Sequence, residues 1–302
     1  MGKPVLINTE PVVKVGIPFY GGIPASMSQL MAELLVQGLP GYKVLVTTHQ
    51  SALLTHARNH LIEEPEGIHF DYLFQIDSDM GFQGDVPQFD ERGLVPMAAA
   101  MKRILDRRLD ICGGLYVRHE APHTPHIYRW ARDAEGNRLG TFQAILDFPE
   151  DQVIEVDAVG TGFLCVKRQV FYAMGKELQR RIKVAQRFEE WRKEQTADLP
   201  KELTEYLDIS QAQIHKPFWL DHFYDPIAHK WTMMGEDMFF CREAQKLGFK
   251  IHCDTGARIG HKTDWYVDPD FYERFWKAET IAARGKYNAK HGLAPTPEVI
   301  NG

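Results

Sequence analysis

Up to Ile76 the chain switches repeatedly between strand-like and helix-like apolar spacing, and this alternation constrains the fold more than any other feature. Val12 to Ile17 is a β-branched run that predicts a first strand, stopped by Pro18. Met27, Leu30, Met31, Leu34 and Leu35 recur at helical spacing, which predicts a helix from Ser26 through Val36 capped by Ser26 or Ser28. Lys43 to Thr48 reads as a second strand, Leu53 to Glu64 as a second helix ended by Pro65, and Asp71 to Ile76 as a third strand. Strands joined through helices pair in parallel, because each helix returns the chain across a face of the sheet. The expected class is α/β, with a mixed, mostly parallel central sheet flanked by helices. In such sheets ligands collect beyond the carboxyl ends of the strands.

Downstream, a loop containing Gly81, Gly84 and Pro87 leads to a helix from about Val95 to Arg107 and a short strand at Asp110 to Cys112. Ile127 to Trp130 and Leu139 to Phe142 are expected to pair as a hairpin about Glu135-Gly136-Asn137. Val153 to Val159 and Phe163 to Val166 read as strands interrupted by Gly160-Thr161-Gly162. From Gly175 to about Leu207 the sequence is charged and helical, broken near Asp198 to Pro200, as in an inserted helical hairpin or lid. A strand at Phe218 to Leu220, a helix from Glu236 to Leu247 closed by Gly248, and a strand at Lys250 to Cys253 follow. The tail from Asp270 onward holds an aromatic amphipathic helix. The expected organisation is one α/β domain over residues 1–265, with a helical insertion at about 175–210 and a C-terminal helical extension over 266–302.

Composition narrows the functional classes. A formal charge of -6 without a basic field argues against general nucleic-acid binding, and 44% apolar residues permit a substantial core. Met1-Gly-Lys-Pro lacks the apolar segment of a secretory signal, and no apolar run is long enough to span a bilayer. Cys112, Cys165, Cys241 and Cys253 show no C-x-x-C spacing, so buried free thiols in a reducing, cytoplasmic setting are expected. Peripheral membrane contact through the C-terminal aromatic helix stays open. Neither G-x-G-x-x-G nor the P-loop pattern follows the first strand, which weakens the ordinary dinucleotide and P-loop readings.

Asp77-Ser78-Asp79 ends the third strand. Residues two apart on a strand point the same way, so both carboxylates can face one cleft, and hard cations such as Mg²⁺ and Mn²⁺ favour that oxygen chemistry. Acidic pairs also serve as turn residues at strand ends.

Four further patches accompany the triplet. Pro18-Phe19-Tyr20-Gly21-Gly22 offers an aromatic surface and glycines that admit a flat base, or else a simple turn. In Thr55-His56-Ala57-Arg58-Asn59, Arg58 could hold a phosphate or carboxylate and Asn59 a base or ribose; an exposed helical arginine fits equally well. Val159-Gly160-Thr161-Gly162-Phe163 could present an open backbone edge to a sugar-sized ligand, or form a bulge. Gly235-Glu236-Asp237 opens a helix, where carboxylates suit the free N–H groups and where Asp237 could act as a general base. His261, in Ile259-Gly260-His261-Lys262, could add one nitrogen to an oxygen-rich metal shell, although a lone histidine is ordinarily structural. Trp219, His222 and Tyr224 could contact a sugar or cover the sheet.

Taken in order, these patches resemble the glycosyltransferases of the GT-A fold, in particular family 2-like bacterial and phage members, over roughly residues 11–263. The likeness rests on Ala57-Arg58-Asn59, Phe74-Gln75-Ile76-Asp77-Ser78-Asp79-Met80, Gly160-Thr161-Gly162-Phe163, Gly235-Glu236-Asp237 with Phe240-Cys241, Ala244 and Gly248-Phe249, then Asp254 and Gly260-His261. The resemblance implies a nucleotide-diphosphate sugar donor, a UDP- or GDP-sugar, and a saccharide or other hydroxyl acceptor. It implies Mn²⁺ or Mg²⁺ held by Asp79 and His261, with Asp77 near ribose or metal-bound water. Pro18, Tyr20, Arg58, Asn59, Asp77, Asp79 and Gly162 would line the donor site, and Asp237 with Glu236 would serve the acceptor. Inverting and retaining outcomes both fit the pattern. A metal-dependent nucleotidyltransferase and a non-catalytic carbohydrate-binding protein are the rival classes.

Overall fold

The computed structural model describes residues 10–63, 69–83, 94–195, 217–218, 220–225, 230–262 and 266–294. Its centre is a seven-stranded sheet built from β1 (Val12–Phe19), β2 (Lys43–Gln50), β3 (Tyr72–Ile76), β5 (Ile111–Leu115), β8 (Val153–Val156), β10 (Phe163–Lys167) and β13 (Ile251–Arg258). The strands lie in the order β2-β1-β3-β10-β5-β13-β8. Three neighbouring pairs are parallel (β1–β2, β1–β3, β5–β13) and three antiparallel (β3–β10, β10–β5, β13–β8). The chain is therefore an α/β domain with a mixed sheet flanked by helices, and its strand pairings divide evenly rather than being mostly parallel.

Period-two alternation sorts the sheet residues between two cores. Val13, Val15, Ile17, Phe74, Ile76, Cys112 and Cys165 face α1 (Ala25–Gln37) and α3 (Met97–Asp106), burying Met27, Leu30, Leu34, Met101 and Ile104. Leu73, Ile111, Leu164 and Val166 face the other way, onto Val170, Phe171 and Met174 of α4 (Arg168–Gln195) and Phe240, Cys241 and Ala244 of α5 (Glu236–Lys246). Each fully buried large apolar side chain contributes about 1.5–3 kcal/mol. Against this frame α2 (Leu54–Ile62) packs beside β1 and β2.

Among the described residues there are three smaller sheets. β4 (Met80–Gly81) pairs with β14 (Gly260–Lys262), which pairs with β15 (Tyr266–Val267). β6 (Ile127–Arg132) lies between β7 (Arg138–Ala144) and β9 (Ala158–Val159), and β11 (Asp221–Asp225) pairs with β12 (Lys230–Met234). Two helices come last among the described residues, α6 (Pro269–Phe275) and α7 (Lys277–His291). Tyr272 of α6 is buried in the second core and donates from its hydroxyl to the Leu146 carbonyl at 2.9 Å.

The structure adjusts several expectations. Pro18 does not stop β1; it lies beyond the stretch that pairs with β3, where one-sided pairing tolerates a missing N–H. Neither Ser26 nor Ser28 caps α1, whose N-cap is Pro24 without a side-chain bond; Ser26 Oγ instead accepts from Lys262. The helix expected from Gly175 begins at Arg168, because Val170, Phe171 and Met174 already bury a helical face. The strand expected at Phe218–Leu220 forms at Asp221–Asp225. The four cysteines are buried free thiols, as expected. Pro65, Gly84, Pro87, the break at Asp198–Pro200 and Trp219 lie outside the described residues, as do the side chains of His222 and Tyr224.

Candidate active site

A tight turn after β3 sets the site. Asp77 N–H donates to the Gly162 carbonyl at 2.9 Å, and Met80 N–H donates back to the Asp77 carbonyl at 3.1 Å. The next two residues pair with β14, with Met80 opposite His261. That pairing brings Asp79 to a histidine 182 residues away: Lys262 N–H donates to the Asp79 carbonyl at 2.8 Å, and Asp79 Oδ2 lies 3.2 Å from His261 Nε2. His261 Nδ1 is 3.0 Å from the Val117 carbonyl, which can only accept, so Nδ1 carries a proton and Nε2 faces Asp79. Asp79 Oδ1 is buried without a hydrogen-bond partner.

The pair is electrostatically coupled. Burial disfavours the charged imidazole of His261, but Asp79, the Val117 carbonyl and Asp77 outweigh it and hold its pKa above the ordinary value. Burial likewise works against ionised Asp79, yet the His261 hydrogen bond and charge, with His119 beyond, hold its carboxyl below the usual range. His119 packs edge-on to His261 with ring centroids 4.9 Å apart.

Of the two groups expected for Arg58, a phosphate or a carboxylate, the structure shows a carboxylate of the chain itself. The Arg58 side chain is 1% exposed, and its guanidinium is committed to the chain itself. Nη2 donates to Asp77 Oδ2 at 2.9 Å, Nη1 reaches Gln75 Oε1 at 3.3 Å and the Thr161 carbonyl at 3.4 Å, and Nε lies 3.5 Å from Glu236 Oε1. Burial lifts Asp77 above the usual carboxylate range against the pull of Arg58, and Asp79 and Glu236 add to the lift. Asn59 is also occupied. Its Nδ2 donates to the carbonyls of Thr55 and Phe218 at 2.7 Å each, while its Oδ1 accepts from Phe218 N–H at 3.1 Å, so it clamps a neighbouring backbone instead of meeting a base or ribose.

α5 starts at this edge, with Gly235 as N-cap and Glu236 and Asp237 in its first turn. Asp237 Oδ1 accepts from Met238 N–H at 2.7 Å. Burial, and then the neighbouring Glu236, push the Asp237 carboxyl up to about 6, which suits a proton acceptor working near neutrality.

The open backbone edge expected at Gly160–Gly162 is filled. All three residues are buried, and Gly162 N–H donates to Tyr116 Oη at 2.9 Å. A Cβ at Gly160 would stand 2.1 Å from that oxygen, and one at Gly162 would stand 2.9 Å from both Met80 and Tyr116. These glycines therefore admit the Tyr116 ring. Tyr116 stacks on His126 at 4.8 Å, meets His261 edge-on, and has its pKa raised by burial and by Asp77 and Asp237. His126 is pushed down to about 3, mainly by burial, and is neutral at ordinary pH.

Pro18 and Tyr20 reach the same edge, since Gly16 lies level with Gln75 in the parallel β1–β3 pair. Pro18 is buried in its strand, whereas Tyr20 is 80% exposed. The structure thus brings together Asp77, Asp79, His261, Arg58, Glu236 and Asp237, and leaves Asn59 and Gly162 as supports. Sequence reasoning missed Tyr116, His119 and His126, although Tyr116 and His119 follow the end of β5 just as the acids follow β3. It also passed over Gln75, a fully buried polar residue in an otherwise apolar strand, which exchanges hydrogen bonds with Arg58. Asp254 serves the frame, binding Arg103 Nε of α3 at 2.7 Å.

Among the described residues no three His, Cys, Asp or Glu side chains already converge as a metal shell. No protein-family model matches the chain, and no curated protein matches it. Among solved structures the chain is similar to the crystal structure of A197 from STIV, with 13% sequence identity and a TM-score of 0.43, covering 85% of this chain and 90% of that one.

Proposed function

We propose that this protein is a metal-dependent glycosyltransferase of the GT-A type, moving a sugar from a nucleotide-diphosphate donor to an acceptor hydroxyl. The observation that carries the reading is the Asp79–His261 pair at the carboxyl edge of the sheet, with Asp79 Oδ1 buried and unpartnered beside it. Two protein ligands suit Mg²⁺ or Mn²⁺, which keep most of their shell for substrate phosphates and water. The orphaned oxygen and a histidine whose Nε2 is set by the Val117 carbonyl fit such an ion. When bound, the cation would offset the charge of the donor diphosphate.

The remaining roles belong to side chains. Arg58 is a positioning residue that fixes Asp77 and Glu236 at the rim. Tyr20 offers an exposed ring on which a nucleotide base can stack. Tyr116, buried against Gly162, His126 and His261, forms the floor. In the inverting outcome Asp237 accepts the proton of the acceptor hydroxyl as that oxygen bonds to the anomeric carbon and the diphosphate oxygen departs with its electron pair. A cytoplasmic setting belongs to the same proposal; no described helix is long and apolar enough to cross a membrane.

The test is nucleotide release from UDP-, GDP-, TDP-, ADP- and CMP-sugars with Mn²⁺ or with chelator, run beside the thermal shift that Mn²⁺ and nucleotide induce. Metal-dependent release of a nucleoside diphosphate from one donor, lost in Asp79→Ala, is expected. Release of a sugar 1-phosphate from these donors, or of pyrophosphate when a nucleoside triphosphate and a sugar 1-phosphate are supplied instead, would indicate a nucleotidyltransferase. Absence of both release and any Mn²⁺- or nucleotide-induced shift would defeat the proposal.

A further inference from the structure

The solvent side of α2 carries a histidine cluster that shares no side chain with the cleft. His49 stands near the end of β2, the strand at the edge of the main sheet, and His56 and His60 stand one turn apart on α2. The His49 ring lies 4.0 Å from the His60 ring and 5.6 Å from the His56 ring, centroid to centroid. His56 and His60 are exposed and His49 is half-buried, while Ala57, Arg58 and Asn59 of the same helix are buried. The cluster is thus reached from solvent, whereas Arg58 and Asn59 turn into the fold.

Three imidazoles in contact repel one another once charged. Burial, and then His60 and His56, hold the His49 pKa below its ordinary value, with Glu63 pulling the other way. A neutral imidazole keeps one nitrogen lone pair, the donor that borderline cations such as Zn²⁺, Ni²⁺ and Cu²⁺ favour. One ring is already held as metal-bound histidines are. His60 Nδ1 lies 3.1 Å from Glu63 Oε2, and an ionised carboxylate only accepts, so Nδ1 carries the proton and Nε2 is left to ligate. The rings stack and do not aim their nitrogens at one point, so the shell is not yet assembled. His56 and His60 stand in solvent, and their side-chain torsions can turn without displacing packed atoms.

We infer that His49, His56 and His60 form a metal site of their own, a three-imidazole site for Zn²⁺ or a similar borderline cation, with Glu63 orienting His60 and water in the remaining position. Two histidines four apart on a helix, with a third from the neighbouring strand, supply three corners of the tetrahedral shell that Zn²⁺ adopts. The hard cation proposed for the cleft favours oxygen, so the two sites select different ions. Because His49 belongs to β2 and the other two to α2, the ion would tie the helix that carries Arg58 to the edge of the sheet.

Calorimetric titration of the full chain with Zn²⁺, and X-ray absorption on the complex at one equivalent, test this. The first Zn²⁺ should carry three imidazole nitrogens in its shell, whereas the Asp79–His261 pair can supply one. Its binding should persist in Asp79→Ala and weaken about tenfold or more in each of His56→Gln, His60→Gln and Glu63→Gln. Glutamine suits an exposed helical position, so the two histidine variants should keep the unliganded melting temperature. The absorption spectrum is read on the unaltered protein and decides the matter should a variant fail to fold. No Zn²⁺ bound, a shell with fewer than three imidazoles, or an affinity that the histidine substitutions leave unchanged would overturn the inference.

Discussion

Asp237→Asn should make the protein more stable and less active at once. The native carboxyl titrates at about 6, whereas an unfolded aspartate titrates at about 3.9. The native state therefore holds this proton more tightly than the unfolded chain does. Below the unfolded pKa both states are protonated and nothing is lost; as pH rises through the window the unfolded state ionises first, and stability falls until pH passes the native value. Two pKa units correspond to about 3 kcal/mol, and solvent at the rim of the cleft trims this to about 1–3 kcal/mol. Asparagine removes the ionisation while its carbonyl oxygen can still accept from Met238 N–H, as Oδ1 does now. The variant's advantage should thus grow by about 1 kcal/mol between about pH 5 and about pH 8. Urea unfolding followed by circular dichroism, in chelator so that no cation offsets the charge, gives the difference directly. Turnover should fall by about 10²–10⁴ if Asp237 is the base, and wild-type turnover should decline below about pH 6. A variant that is less stable at about pH 8, or whose advantage does not change with pH, would refute the electrostatic argument.

Two further substitutions test the scaffold of the cleft. Arg58→Lys replaces a fork that meets Asp77, Gln75 and Glu236 with a single ammonium, and should lower stability by about 3 kcal/mol in urea titration. Asn59→Ala leaves the Phe218 N–H and carbonyl without their partners, costing about 2 kcal/mol, and should expose the backbone amide of Phe218 to faster hydrogen exchange.

The alternation of strand and helix patterns up to Ile76 was sufficient for the α/β class, because burial on both faces of a sheet imposes period two on strands and a wider stripe on helices. It also located Asp77 and Asp79 at a strand end and Glu236 and Asp237 at a helix start, since both placements follow from local spacing. Short strands escaped it: β4, β14 and β15 span two or three residues each, too few to carry a period. The antiparallel insertion of β10 between β3 and β5 was equally hidden, because strand order depends on long-range pairing and not on any local pattern.

The difference is sharpest at Arg58, Asn59 and Gly162. Each was legible as a residue able to bind a ligand, because its chemistry is local. Which partner it meets is decided by what the fold brings within hydrogen-bond reach, and here those partners are Asp77, the Phe218 backbone and Tyr116. By itself the sequence determined the α/β class, the flanking helices and the acidic character of one edge. Only the tertiary structure decided that Asp79 faces His261 and that Arg58 is spent on holding Asp77, because contacts across 182 residues and across 19 are set by packing and register.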